Sequence, residues 1–362
     1  MKLFKCTHCG QLLYFENHQC VRCHYPLGFI PEKMALVPLV KKGKDTLEPY
    51  SKGLVNKLFG PSEKYRYCEN HRHGVCNWLV PAQSQDPFCK ACQLNNTIPN
   101  LSKEEYHDRW RHIEAAKHRL VYTLLQLGLP FMSKDEHPEK GLEFDFLADP
   151  KKGPRVLTGH ANGTITLNIA EADDIEREMA RKAMGEAYRT VLGHFRHEIA
   201  HYYWDRLVAD MGQEEAFREV FGDEREDYSS ALKRHYEKGT SDDWNQYYIS
   251  PYASAHPWED WAETWAHYLH MLDTLETAYA FGMSIDPELA SKKDNLKADV
   301  NRNPYEVKKM SGLIDMWLPL TFAMNSLNRS MGHSDLYPFI IPPVVVDKLA
   351  FVHQLCLKVR RK

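Results

Sequence analysis

The sequence predicts an α+β protein, mostly helical with a small β-sheet, preceded by a cysteine-rich head. Three observations predict it. Eight of the nine cysteines fall before residue 93. Residues 142–148 and 155–169 alternate apolar and polar side chains, as strands do. From about residue 175 the pattern is mostly helical, with breaks at Gly212, Gly239, Pro257, Gly282 and Pro304. Strands first and helices afterwards argue for α+β rather than a repeated βαβ order.

The head comes first. Residues 1–30 contain "CTHC" and "CVRC", two C-x-x-C turns separated by ten residues: Cys6, Cys9, Cys20 and Cys23. Each such turn puts two thiolates on one side of a cation, and two turns complete a tetrahedron, the pattern of a structural zinc ribbon. Residues 31–64, with "VKKGKD" at their centre, read as a connector. Residues 65–100 form a second cysteine-rich unit, with Cys68, Cys76, Cys89 and Cys92 as ligands of a second structural zinc. Its spacing is less regular, and His71 or His73 could replace a cysteine there. A disulfide framework fits poorly with the absence of an export signal in "MKLFKCTHCG". Cys356, alone in "FVHQLCLKV", reads as a buried apolar side chain.

Residues 101–362 then form the main domain. Ser102 and Glu105 make a capping box, and Trp110, Ile113, Leu120, Leu124 and Leu127 carry the helix to Gly128. "LEFDFLA" at 142–148 is a strand, and Asn162-Gly163 marks a hairpin within 155–169.

Composition sets outer limits. At 43% hydrophobic and 26% charged residues, the chain is an ordinary globular one. No run of eighteen apolar residues exists, so no membrane span is expected, and the expected location is cytoplasmic. Residues 1–100 carry 13 Lys and Arg against 7 Asp and Glu. Two tetrathiolate zinc sites would reduce that +6 excess to about +2, which weakens the attraction of the head for nucleic acid.

The chemistry centres on "VLGHFRHEIAHYYWDRL", residues 191–207. His197 and His201 stand one helical turn apart, where both imidazoles can reach one metal, and Glu198 is offset beside it as a general base. Trp204 and Leu207 occupy the positions where a metzincin has glycine and a third histidine, so that subclass is excluded. The third ligand is therefore sought in "SPYASAHPWEDWAETWAHYLHM", residues 250–271. There Trp261, Trp265 and Leu269 line one side of a helix while Glu259 and Glu263 stack on another. Glu259 is read as the ligand and Glu263 as the acid that orients a ligating histidine; the reverse assignment is the alternative. His256, His267 and His270 are assigned to packing or solvent.

The cysteine ribbon, "HEIAH" and "YASAHPWEDWAETWAHYLH" together resemble a bacterial family of zinc-binding metallopeptidases with a zinc-ribbon head. The resemblance extends over nearly the whole chain, including "CNWLVPA" and "PLTFAMNSLNRSMG". It implies a zincin-like fold of the gluzincin type, one catalytic and two structural zinc ions, and a peptide or protein substrate. A narrower resemblance links residues 197–201 and 252–265 to the catalytic domain of anthrax lethal factor, which has a ligand glutamate in E-F-F-A-E and a catalytic tyrosine seven residues earlier. It implies Glu259, in "EDWAE", as ligand and Tyr252 as catalytic tyrosine, with Tyr247 and Tyr248 as nearby alternatives. Asp260 and Trp261 replace the two phenylalanines. Two other functions stay open at this point: a scaffold that binds through its ribbons, and a protease acting on nucleic-acid-associated protein. Neither the cleaved sequence nor the oligomeric state is legible.

Overall fold

The computed structural model describes residues 2–50, 63–184, 189–288 and 296–360. The chain divides into two units, one made of Met1–Gln126, Pro130–Thr158 and Gly163–Asp173, the other of Leu127–Leu129, Gly159–Asn162 and Asp174–Lys362.

The first unit opens with a short antiparallel pair, β1 (Phe4–Lys5) and β2 (Leu12–Leu13), either side of the first C-x-x-C turn. A five-stranded antiparallel sheet follows in sequence order: β3 (Leu27–Ile30), β4 (Ala35–Lys41), β5 (Leu47–Pro49), β6 (Tyr65–Tyr67) and β7 (Leu79–Pro81). The expected connector, residues 31–64, therefore supplies two strands where it is described; residues 51–62 lie outside the described residues. The physical reason is the run "ALVPLVK". Val37 and Leu39 bury against Ile30, Tyr65 and Leu79, an apolar gain that a solvated linker would forgo. Pro38 lacks an N–H but still offers its carbonyl, which accepts from Tyr50 N–H at 2.7 Å.

That sheet also joins the two cysteine-rich stretches, which the sequence reading had kept apart. Phe15 and Phe29 share an aromatic cluster with Trp78 and Tyr122. The buried Asn77 amide donates to the carbonyls of Phe15 at 2.7 Å and Asn17 at 3.1 Å, satisfying loop carbonyls that burial would otherwise strand.

Strand β8 (Asn95–Thr97) leads to helix α1 (Glu104–Leu127). Trp110, Ile113, Leu120, Leu124 and Leu127 are all buried, as their spacing requires. At its entrance the Asn100 side chain accepts from Ser102 N–H at 3.0 Å, so Asn100 and not Ser102 is the side chain that turns the chain into the helix. Gly128, with φ +65°, ends it as expected. Strand β9 (Glu143–Leu147) buries Phe144 and Phe146 and pairs in parallel with both β8 and β11 (Thr164–Asn168). The turn Asn162-Gly163 links β10 (Gly159–Ala161) to β11 with both residues at positive φ, 48° and 81°. That is the backbone a two-residue hairpin turn needs. A Cβ at Gly163 would also run into the Gly141 carbonyl oxygen.

The second unit is helical: α2 (Asp174–Met184), α3 (Val191–Tyr203), α4 (Glu214–Phe221), α5 (Tyr228–Lys238), α6 (Pro257–Phe281), α7 (Met310–Ser330) and α8 (Pro343–Arg360), with a small pair β12 (Ser284–Ile285) and β13 (Ala298–Asp299). Gly212, Gly239 and Gly282 take positive φ at helix ends, and Pro257 and Pro304 begin helical segments. Among the described residues no helix is long and apolar enough to cross a membrane.

Helices α3 and α6 pack side by side. Trp261 Nε1–H donates to the Ala200 carbonyl at 2.8 Å, and Tyr203 stacks on Trp265 with ring centroids 5.1 Å apart. Phe217, Phe221 and Phe351 enclose the other side of Trp261. Beyond it, Lys348 of α8 reaches Asp260 at 2.6 Å and the Tyr247 carbonyl at 2.7 Å, both charges being buried. Removing one partner of such a pair strands the other. Asp260→Ala is expected to lower unfolding free energy by about 3–5 kcal/mol, read by urea denaturation; a change under about 1 kcal/mol would mean that water reaches Lys348.

Candidate metal centre

His197 and His201 sit one turn apart on α3, their ring centroids 5.3 Å apart. Thr190 caps this helix by accepting from Gly193 N–H at 2.9 Å. Glu259 enters from the first turn of α6, where Pro257 supplies a preset φ and His256 Nδ1 accepts from Trp258 N–H. Donor atoms of His197, His201 and Glu259 all lie within 4.8 Å of one another. Glu259 Oε2 is 3.1 Å from His197 Nε2, and Oε1 is 3.9 Å from His201 Nε2.

Glu263, one turn further along α6, stands behind His197 rather than in front of it. Its Oε1 accepts from His197 Nδ1–H at 2.7 Å, and its Oε2 accepts from Ser250 Oγ at 2.6 Å. Of the two acids, Glu259 is thus the one facing both imidazoles, and Glu263 fixes the tautomer of one. Ser250 was not read from the sequence, since a serine in a loop carries no signal of its own.

Tyr252 stands with its ring centroid 6.0 Å from that of His197. The two alternatives are engaged elsewhere: Lys348 Nζ lies 4.4 Å from the Tyr248 ring, and Tyr247 is exposed. Tyr228 is a further residue at the site that sequence reasoning missed. Its hydroxyl donates to Glu259 Oε1 at 2.6 Å. It comes from the charged segment between the two motif helices. His160 of β10 also approaches, its ring 6.0 Å from that of His201. The other histidines are used in packing: His256 caps α6, and His267 Nδ1 meets the Tyr337 hydroxyl at 2.8 Å.

The charges are strongly coupled. Burial alone would raise the Glu259 carboxyl, but hydrogen bonding to His197 and the field of both imidazoles hold it at about 2. Burial would lower His197, yet Glu259 and Glu263 on its two nitrogens push it well above the ordinary histidine range. Burial takes His201 down to about 3, leaving it neutral with a lone pair to give. Half-buried Glu198 is pushed up to about 7, first by burial and then by the neighbouring acids, against the pull of His197.

This donor set fits a divalent cation. With no ion bound, a proton on His197 Nε2 serves the buried Glu259 Oε2 3.1 Å away, while Nδ1–H is held by Glu263. A divalent cation can take the place of that proton and leave the ring neutral, with Nε2 and the carboxylate both turned to the ion. Two neutral imidazoles and one carboxylate are the usual zinc donors of a site with a position left open.

In the first unit, the structure gathers Cys6, Cys9, Cys20 and Cys23 into one cluster and Cys68, Cys76, Cys89 and Cys92 into another. His71 is not among the second group: it stacks on Tyr67 at 3.6 Å and pairs through Nδ1 with the Cys76 carbonyl. His73 also stays outside, beside Arg72. The histidine that does approach is His118 of α1, with Nε2 3.8 Å from Cys92 Sγ. Cys356 is buried, and burial pushes its thiol up.

Comparison with known proteins adds an independent line. A family described as "Putative zinc-binding metallo-peptidase" matches residues 106–355, and a zinc-ribbon domain matches residues 3–103. An uncharacterized protein of Mycobacterium bovis is 40% identical over 354 residues, covering 98% of this chain and 94% of its own length. Uncharacterized proteins of two Mycobacterium tuberculosis strains match equally. No solved structure matches, and the narrower resemblance to anthrax lethal factor is not shown by these comparisons. The chain belongs to this family and carries a zinc-ribbon domain ahead of the region that the family model matches.

Proposed function

We propose that the protein hydrolyses peptide bonds with a zinc ion held by His197, His201 and Glu259. The observation that carries this reading is the convergence of those three donors from two helices, with Glu198 on the same turn as His197. A zinc ion bound there supplies a polarised carbonyl and an acidified water. The rest is the work of the chain. Glu198 takes the proton of the attacking water as the new C–O bond forms, and returns it to the amine as the C–N bond breaks. Its carboxyl, at about 7 from burial, is basic enough to accept that proton, and a cation beside it would shift it downward. Tyr252 donates a hydrogen bond to the oxyanion of the tetrahedral intermediate. Glu263, held by Ser250, keeps His197 in the tautomer that offers Nε2.

A peptide substrate has a place to lie. Strand β10 is the terminal strand of its sheet, and His160 on it faces the His201 ring. An extended peptide adding to that edge would pair with the strand that carries His160. The two cysteine clusters act differently: four thiolates close a coordination sphere, so they hold structural zinc and leave no position for water.

Two measurements test this reading. Glu198→Gln is expected to retain zinc while lowering kcat by roughly 10²–10⁴-fold; undiminished turnover would refute the mechanism. Metal analysis of the whole chain is expected to find one zinc at each cysteine cluster and one at the histidine site, with His201→Ala losing only the last. An unchanged zinc content in His201→Ala would remove the metal centre from the reading.

A further inference from the structure

Tyr228 opens helix α5, and Asp227 caps that helix by accepting from Ser230 N–H at 2.8 Å. The cap fixes where the phenol points. Its ring rests edge-on against His256 and Trp258, whose own positions are set by the start of α6. Its hydroxyl donates to Glu259 Oε1 at 2.6 Å, while Glu259 Oε2 faces His197. Tyr252 stands at the same site, its ring centroid 6.0 Å from that of His197. The Tyr228 hydrogen bond therefore ties the start of α5 to the carboxylate carried by α6.

A carboxylate ligand has two oxygens, and a cation held by imidazoles can take one or both; a hydrogen bond on one oxygen favours binding through the other. A second oxygen on the ion uses up the position that water or a substrate carbonyl needs. From this geometry we propose that Tyr228 is a positioning residue of the metal centre: it occupies Oε1 so that Glu259 binds through Oε2 alone. This deepens the peptidase reading and rests on the metal centre described there. Tyr228 takes no proton and touches no reacting atom. Its effect passes through Glu259.

The test uses full-length protein loaded with zinc, or with cobalt(II) as a spectroscopic probe. Tyr228→Phe keeps the ring that packs on His256 and Trp258 and deletes only the hydroxyl. It is expected to weaken zinc binding at the histidine site by about 10–100-fold. It should also shift the visible cobalt(II) bands toward weaker, higher-coordinate absorption and lower kcat with KM little changed. Retention of metal at both cysteine clusters reports that the variant has folded. Tyr252→Phe is expected to lower kcat without moving the cobalt(II) bands. Unchanged zinc affinity and cobalt(II) spectrum in Tyr228→Phe would overturn the proposal, whatever the protein cleaves. If Glu259→Ala binds as much zinc as the unaltered chain, the metal-centre reading fails and this inference falls with it.

Discussion

The second unit is organised around one hydrogen bond, from the Trp261 indole to the Ala200 carbonyl. Ala200 immediately precedes His201, and Trp261 lies midway between Glu259 and Glu263. Locking these two positions together sets the register of α3 against α6, so one acid falls in front of His197 and the other behind it. A slide of one helical residue, about 1.5 Å, would spoil both contacts at once. The bond is buried, and the stack of Tyr203 on Trp265 repeats the clamp one turn further along. The large aromatic content of α6 thus serves to place carboxylates, as well as to fill a core.

Helix periodicity explains why so much of this site was legible in the sequence. A spacing of four on α3 stacks His197 over His201, and the same spacing on α6 stacks Glu259 over Glu263. Exclusion of a third histidine ligand at Leu207 turned attention to those acids, and the structure sets Glu259 between the imidazoles. The residues that escaped notice share a different property. Tyr228, His160 and His118 reach their clusters across long stretches of chain, and Ser250 from the loop before α6, all from positions with no periodic partner. Only packing brings them in. The expected connector failed for a related reason: lysine, glycine and proline suggested solvent, while the apolar residues of "ALVPLVK" found partners on strands before and after it.

The alternation of residues 142–148 told that a strand was present and which side was buried, but not its neighbours. Phe144 and Phe146 do turn inward. Parallel pairing with β8 depends on α1 returning the chain across the sheet, and parallel pairing with β11 on the crossover through β10. Pairing of that kind leaves no mark in a local pattern. The Asn162-Gly163 turn was legible because its backbone demands positive φ at both positions, a requirement few residues meet.

The two cysteine clusters differ in a way that follows from electrostatics. The first keeps Cys9 and Cys23 partly exposed, so water can solvate the negative charge that a zinc-bound tetrathiolate would carry. The second has all four cysteines buried, and solvent cannot serve it. Side chains of α1 take that place. His118 gives its Nδ1 proton to the Glu114 carbonyl and faces Cys92 with Nε2; burial would lower it, but Cys92 and Glu114 raise it. Lys117 is buried alongside, its charge kept by Glu114 and by the thiols against the same penalty. A buried anionic cluster without such neighbours would cost several kcal/mol per charge. The helix that follows the zinc-ribbon region is therefore part of what makes its second cluster tolerable, and the ribbon and α1 form one electrostatic unit.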